Sequence, residues 1–251
     1  MTDLHCHILP GIDDGAQNVE ESIALIRRQR EQGVRQIALT SHFNAERTTV
    51  EEFVEQRAKS YEILQDALQK EGLDVTLKLG AEVFFSSDLL ELDLRPLLLE
   101  GTDYLLVEFS PTFYPTWAKD IFYQMGLDGI TPLLAHVERY PYMLSDPTRL
   151  YDLVNAGAVT QVNATSLLRS TSRQAMVRKF LKWNLVHVLA SDTHSMDKRP
   201  PLLAKAFGQV QEWEGDKVVQ QLRQNAEDVF RGRELRTYEP TKPKKLLSWW
   251  L

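Results

Sequence analysis

The sequence predicts a single α/β domain whose parallel strands alternate with helices and close into a barrel, or a distorted one. Three observations carry this. Short apolar, β-branched runs alternate with amphipathic stretches along nearly the whole chain. The runs are spaced so that a helix can cross back between parallel neighbours. Roughly six or seven such units fit in about 235 residues, which suits a closed barrel better than an open sheet. The 251 residues match the usual size of such a barrel, about 250.

Taken in order, strands are expected at 2–4, 36–40, 75–79, 104–108, 131–135, 158–162 and 186–190. The first helix is expected over 18–32, where Asn18 can cap, Glu21 completes a capping-box-like pair and Gly33 marks the stop. The second, over 50–71, repeats the pattern with Thr49, Glu52 and Gly72. Further helices are expected near 116–127, 147–156, 172–183, 201–212 and 215–224. No repeat or internal linker interrupts residues 1–235, which form the predicted domain. Residues 236–251 form a tail that is rich in Pro and Lys and ends near Trp249-Trp250. Basic residues beside Trp and Leu suit an anionic membrane surface or a protein partner, so peripheral membrane contact is one expectation and packing on the barrel another.

Composition excludes several classes. Net charge is −6, against a general nucleic-acid binder, whose affinity rests on clustered Lys and Arg. No apolar stretch approaches the ~18 residues of a membrane span. Met1-Thr2-Asp3 lacks the basic start of a signal peptide. The one cysteine, Cys6, has no partner in the chain for a disulfide, so a reducing cytoplasm is expected.

The chemistry lies where the strands end. The first runs into His5-Cys6-His7 and the second into Ser41-His42. The third leads to Glu82, the fourth ends at Glu108 and the fifth at His136. The last delivers Asp192-Thr193-His194. In a parallel barrel these ends meet on one face, where active sites form. Residues i and i+2 of a strand share a face, so His5 and His7 present two imidazoles to one metal. Taken singly, each residue reads as loop, cap or surface; at Asp13-Asp14-Gly15 a turn is the default. Together they predict a metal site. Imidazole mixed with carboxylate suits Mn2+, Fe or Zn2+ and less often Mg2+, and so many ligands suit two or three ions.

These residues also carry a resemblance. The opening Met1-Thr-Asp-Leu-His-Cys-His-Ile-Leu-Pro-Gly-Ile-Asp-Asp-Gly-Ala16 is joined by Ala135-His-Val-Glu-Arg-Tyr140 and Leu189-Ala-Ser-Asp-Thr-His-Ser-Met-Asp-Lys-Arg-Pro-Pro201. Together they resemble the polymerase and histidinol phosphatase (PHP) superfamily. Within it they resemble the manganese-dependent tyrosine-protein phosphatases of bacterial capsule and exopolysaccharide operons, the CpsB/YwqE type. The likeness extends to about residue 235. It implies a distorted (β/α)7 TIM-like barrel holding three metal ions, usually manganese.

Carried over by position, the resemblance implies one ion on His5, His7 and Asp192 with Glu82 bridging. A second would sit on Glu82, Glu108 and His136, and a third on Asp14, His42 and His194. Arg139 and Arg199 match the family's two phosphate-binding arginines. Ser41-His42-Phe43 stands where the family often has Pro-His-His, and Val137 where Pro is common, departures that bear on pocket shape and remove no ligand. The implied substrate is a phosphorylated bacterial tyrosine autokinase controlling polysaccharide export.

The expected reaction is phosphomonoester hydrolysis, in which metal lowers the pKa of a bound water so that hydroxide attacks phosphorus at neutral pH. Either a histidine, with His42 the candidate, or a water on the metal would supply the leaving group's proton. Rival readings fit less well. A thiol phosphatase needs Arg six residues after its Cys, and Cys6 is followed there by Ile12. No Asp-X-Asp follows the first strand, and no Walker-type loop occurs. An amidohydrolase would place a bridging Lys near Glu108. A histidinol-phosphate phosphatase would use the same metals with a different pocket, and a non-catalytic module of the same fold should have lost ligands.

Overall fold

The computed structural model describes residues 1–169, 171–235, 238–246 and 249–250. Its first half runs β1 (Thr2–Asp3), α1 (Val19–Glu31), β2 (Gln36–Leu39), β3 (His42–Phe43), α2 (Val50–Glu71), β4 (Thr76–Leu79), β5 (Glu82–Phe84) and β6 (Tyr104–Glu108). There follow α3 (Ala118–Leu127), β7 (Thr131–Leu134), α4 (Pro141–Ser145), α5 (Thr148–Asn155), β8 (Val159–Asn163), α6 (Ala164–Leu168) and α7 (Ser172–Lys182). The chain then forms β9 (Val188–Ala190), α8 (Leu203–Glu214), α9 (Asp216–Phe230) and two short strands, β10 (Lys245–Leu246) and β11 (Trp249–Trp250).

The result is a mixed α/β fold on a curled parallel sheet. β1 pairs with β2 and β2 with β4; β3 pairs with β5, and the ladder continues through β6, β7, β8 and β9, every pairing parallel. β2 and β3 are two halves of one path, broken at Thr40-Ser41, and β4 and β5 are broken at Gly80-Ala81. Hydrogen bonds carry the ladder across the breaks: Thr40 N–H donates to Cys6 O, Gly80 N–H to Leu39 O and Glu82 N–H to Ser41 O, each at 3.0 Å. Arg57 reaches from α2 into the same place, donating to Gly80 O at 2.7 Å and to Pro96 O at 2.8 Å. The break explains why residues 36–40 and 75–79 read as strands that stop before their ligands. His42 and Glu82 open new strand segments instead of ending old ones, and they lie in register across β3 and β5.

First and last strands also meet. Ser191 N–H donates to the buried Asp3 Oδ1 at 2.9 Å, Asp192 N–H to His5 O at 2.9 Å and His7 N–H to Thr193 O at 2.8 Å. Cys6 and Thr193 form an isolated parallel bridge.

Local signals for the two long helices act as expected. Asn18 accepts from Glu21 N–H at 2.9 Å, Thr49 and Glu52 form a reciprocal capping box, and Gly72 adopts a left-handed conformation at φ +60°. The last helix differs: expected over 215–224, it runs to Phe230. Its apolar spacing continues through Leu222, Ala226 and Val229, and burial against Leu4, Leu106 and Val188 sustains a stretch whose Asn and Asp favour helix weakly. The short α4 and α6 carry no strong sequence signal.

Of the tail expected over 236–251, residues 236, 237, 247, 248 and 251 lie outside the described residues. The described part packs back on the domain. Thr241 N–H donates to Trp183 O at 2.8 Å, Asn184 Nδ2 to Glu239 O at 3.0 Å and Trp250 Nε1 to Ser145 O at 3.1 Å. Among the described residues no helix is long and apolar enough to cross a membrane.

Candidate metal centre

Each strand end contributes to one cluster. His5 and His7 leave β1 on the same face with their Nε2 atoms 3.1 Å apart. Glu82 stands between them and the rest: its Oε2 is 3.2 Å from His5 Nε2, 3.2 Å from His7 Nε2 and 3.0 Å from His42 Nδ1. Its Oε1 lies 2.8 Å from His136 Nε2, which is also 3.4 Å from Glu108 Oε1. Asp192 Oδ1 is 3.4 Å from His5 Nε2. At the mouth, Asp14 Oδ1 lies 3.4 Å from His42 Nε2 and 3.3 Å from His194 Nε2. All nine expected ligands therefore lie in one cluster.

Ligand atoms within 4.8 Å of one another fall into three groups: His5, His7 and Asp192; His42, Glu82 and Glu108; and His7, Asp14, His42 and His194. The first matches the expected triad. In the second, His42 stands where His136 was expected, and His7 joins the third; His136 falls in none of the three, although its Nε2 faces Glu82 at 2.8 Å and Glu108 at 3.4 Å.

Bare donor atoms test whether metal fits. His194 Nε2 is buried without a hydrogen-bond partner, and Glu82 Oε2, though three imidazole nitrogens lie within 3.2 Å, has none of them aligned as a donor. Buried polar atoms are rarely left so, and imidazole nitrogens converging on carboxylate oxygens form a donor set that suits a divalent ion. The residues fit. Charge agrees: burial alone would raise the Glu82 carboxyl, but the surrounding histidines, His5 foremost, hold it well below the usual range. Burial opposes protonation of His7 and His136, yet carboxylates outweigh it, Asp13 and Glu82 at His7, Glu108 and Glu82 at His136, and push both up to about 10. An incoming cation displaces those protons.

The backbone is bent to serve this cluster. His136 and Asp192 hold positive φ, +31° and +51°, a conformation costing non-glycine residues of order 1–3 kcal/mol unless the surroundings enforce it. At Gly15 any Cβ would lie 2.1 Å from His7 O. The 11–16 loop is drawn tight there, with Ala16 N–H donating to His7 O at 3.0 Å.

Three further residues support the cluster and were not singled out in the sequence. Asp13 Oδ2 pairs with His7 Nδ1 at 2.7 Å and accepts from His42 N–H at 3.0 Å. Gln161 Oε1 faces His5 Nδ1 at 3.2 Å and accepts from His136 N–H at 2.8 Å. Asn163 Nδ2 donates to Asp192 Oδ2 at 2.6 Å and leaves Oδ1 facing the histidines. Such partners set the ring tautomer and aim the ligand. The signal for Gln161 and Asn163 was polar residues at i and i+2 inside an apolar strand; Asp13 was hidden in a run that reads as a turn.

Arg139 and Arg199 stand at the rim. Arg139 lies 3.0 Å from Asp192 Oδ2, and Arg199 lies 2.6 Å from Asp14 Oδ2. Cys6 is fully buried, its Sγ 3.0 Å from Ala38 O, and burial pushes the thiol well above its ordinary range. The side chain is packed within the fold, away from the ligand cluster's open face. His187, which does not end a strand, is also buried, and its Nδ1 accepts from Thr160 N–H at 3.0 Å.

Residues 1–231 match the family model described as capsular polysaccharide synthesis, CpsB/CapC. The chain belongs to that family. Tyrosine-protein phosphatase CpsB of Streptococcus agalactiae is 36% identical over 220 residues, covering 82% of this chain and 88% of the relative. Tyrosine-protein phosphatase YwqE of Bacillus subtilis is 33% identical, with 99% of both chains covered. Putative tyrosine-protein phosphatase CapC of Staphylococcus aureus is 30% identical over 82% of each. The fold is also similar to the crystal structures of YwqE from Bacillus subtilis and CpsB from Streptococcus pneumoniae, described as unique metal-dependent tyrosine phosphatases. That match has a TM-score of 0.87 and 32% identity, and it covers 98% of this chain and all of the other. The resemblance carried by the opening motif thus holds over the whole family domain.

Proposed function

We propose that this chain is a metal-dependent protein-tyrosine phosphatase that hydrolyses phosphotyrosine on a bacterial tyrosine autokinase of capsule or exopolysaccharide synthesis. The observation that carries the reading is the convergence of four histidines and four carboxylates in groups able to hold metal, with a fifth histidine, His136, against Glu82 and Glu108 and two arginines at the rim. The named relatives add the substrate class. We also infer a distorted (β/α)7 barrel, supported by the hydrogen bonds between the first and last strands, and a cytoplasmic site of action.

His5, His7 and Asp192 would hold one Mn2+ with Glu82 bridging. Glu82, Glu108 and His136 would hold a second, and Asp14, His42 and His194 a third. The ions, when bound, supply a water acidic enough to ionise near neutral pH and positive charge for the phosphoryl group. Gln161 and Asn163 keep His5 and Asp192 aimed while this happens. Arg139 and Arg199 bind the phosphoryl oxygens, for which their planar forks are suited. The phenolate leaves readily, with a conjugate-acid pKa of about 10. The leaving oxygen's proton would come from His42, 37% exposed at the mouth, where that ring is free of metal, or from water.

Metal stripping tests the reading. Chelation abolishes aryl phosphate hydrolysis, Mn2+ restores it, and His136→Ala does not respond to added Mn2+. Phosphotyrosine peptide turns over faster than histidinol phosphate. Activity that survived the chelator but vanished in Cys6→Ala would overturn it.

A further inference from the structure

Two cavities flank the metal cluster, and their charge is opposite. One, of about 690 Å3, is lined by Asp13, Asp14, Glu46 and Glu108, with Arg47 its one Arg or Lys. The other, of about 410 Å3, shares Arg139, Asp192 and Arg199 with the cluster and extends outward to Arg169, Arg173 and Lys198. Arg139 and Arg199 already face carboxylates. Among the described residues, Arg169 and Arg173 form no ion pair, and the one carboxylate recorded against the Lys198 charge is its exposed neighbour Asp197. The molecule is net acidic at −6, yet this cavity gathers five cationic side chains, of which Arg169 and Arg173 have no carboxylate partner among the described residues.

The cavity's location adds to this. Thr171, Ser172 and Arg173 line it where the 11-residue α7 begins, with Thr171 as N-cap, so the positive end of that helix faces the same space. Like charges held together in one concave site repel, and an anion that enters relieves that repulsion. Guanidinium groups favour a planar or tetrahedral oxyanion, carboxylate or phosphoryl, through paired hydrogen bonds. An extended peptide advances about 3.3 Å per residue. A residue two or three positions from a phosphotyrosine in the metal site therefore reaches a cavity that shares that site's arginines.

We propose that this cavity is a subsite for a second anionic group on the substrate chain, a carboxylate or another phosphoryl group flanking the phosphotyrosine, bound by Arg169 and Arg173 with Lys198. The proposal rests on the phosphatase reading above and deepens it.

The test uses the manganese-loaded full chain and four substrates: an aryl phosphate, and phosphotyrosine peptides with a neutral, a glutamate or a second phosphotyrosine flank. Wild type prefers an anionic flank to the neutral one by roughly tenfold in kcat/KM, the effect of about one good charge-assisted contact. In Arg169→Ala/Arg173→Ala the ratio of anionic-flank to neutral-flank turnover falls to within about twofold of unity. Arg169→Lys/Arg173→Lys, which keeps charge without the fork, recovers part of it. Preference for both flanks points to any anion, and preference for the second phosphotyrosine alone points to a phosphoryl group. Equal turnover of all peptides by wild type, or a preference that the alanine variant retains, overturns the subsite while leaving the phosphatase reading intact. Failure to hydrolyse even the aryl phosphate overturns the phosphatase reading, and the subsite with it.

Discussion

His5, His7, Glu82, His136 and Asp192 are between 0 and 3% exposed, whereas Asp14 is 60% exposed and His42 37%. Three of the inner candidates for metal binding are anchored twice, once just beyond a strand end and once by a polar partner: Gln161 for His5, Asp13 for His7 and Asn163 for Asp192. The outer ones sit on the 11–16 loop and the two-residue β3, and Asp14 is satisfied by Arg199 at the surface. The difference teaches that one half of the centre is pre-organised and dry, while the other is open to water and to substrate. Burial makes an inner ligand costly to lose, since each remaining charge there lacks water to replace its partner.

That contrast predicts a ranked series. Asp192→Ala, on the inner wall, lowers kcat by about a thousandfold or more and removes metal that added Mn2+ does not restore. Asp14→Ala, on the rim, costs about ten- to a hundredfold, and higher Mn2+ recovers most of it. Metal content and turnover, measured side by side, check both; equal losses would erase the distinction between wall and rim. Gln161→Leu and Asn163→Leu touch no metal directly and weaken Mn2+ affinity about 10- to 100-fold, the usual effect of losing an orienting partner. Unchanged affinity would mean that the strand alone aims the ligands.

A separate effect, on stability and not on turnover, comes from a buried histidine outside the cluster. Burial lowers the His187 pKa from 6.5 to about 4, and its Nδ1 accepts from Thr160 N–H. Between pH 6.5 and 4 the unfolded chain therefore gains a proton that the native chain refuses, so stability falls as pH falls through that window. The loss is roughly 3 kcal/mol across the whole window, at about 1.4 kcal/mol per unit. His187→Asn keeps an acceptor without the titration, so its stability declines less than wild type across the window in urea unfolding of metal-stripped protein. Parallel declines would remove His187 as the cause.

Much of this was legible in the chain. Asn18, Thr49 and Glu52 marked helix starts because capping is local chemistry between residues three apart. Eight of the nine candidate ligands could be found because each lies close to the end of an apolar run; Asp14 came only with the family resemblance. The breaks at Thr40-Ser41 and Gly80-Ala81 were not legible, since they depend on Arg57 and on neighbouring strands. Asp13, Gln161 and Asn163 were missed for a related reason: their partners are 6, 156 and 29 residues away, and polar residues at i and i+2 of an apolar strand, or an Asp in a turn, do not show what they are aimed at.

The sequence by itself determined the alternation of strand and helix, the helix caps and the set of metal-capable side chains, because these follow from short-range periodicity and residue type. Only the tertiary structure decided which ligands are dry and which face water. It also decided which side chains hold them in place, and that the two sides of the active face carry opposite charge. Those properties belong to distance through space, which the order of residues along the chain does not contain.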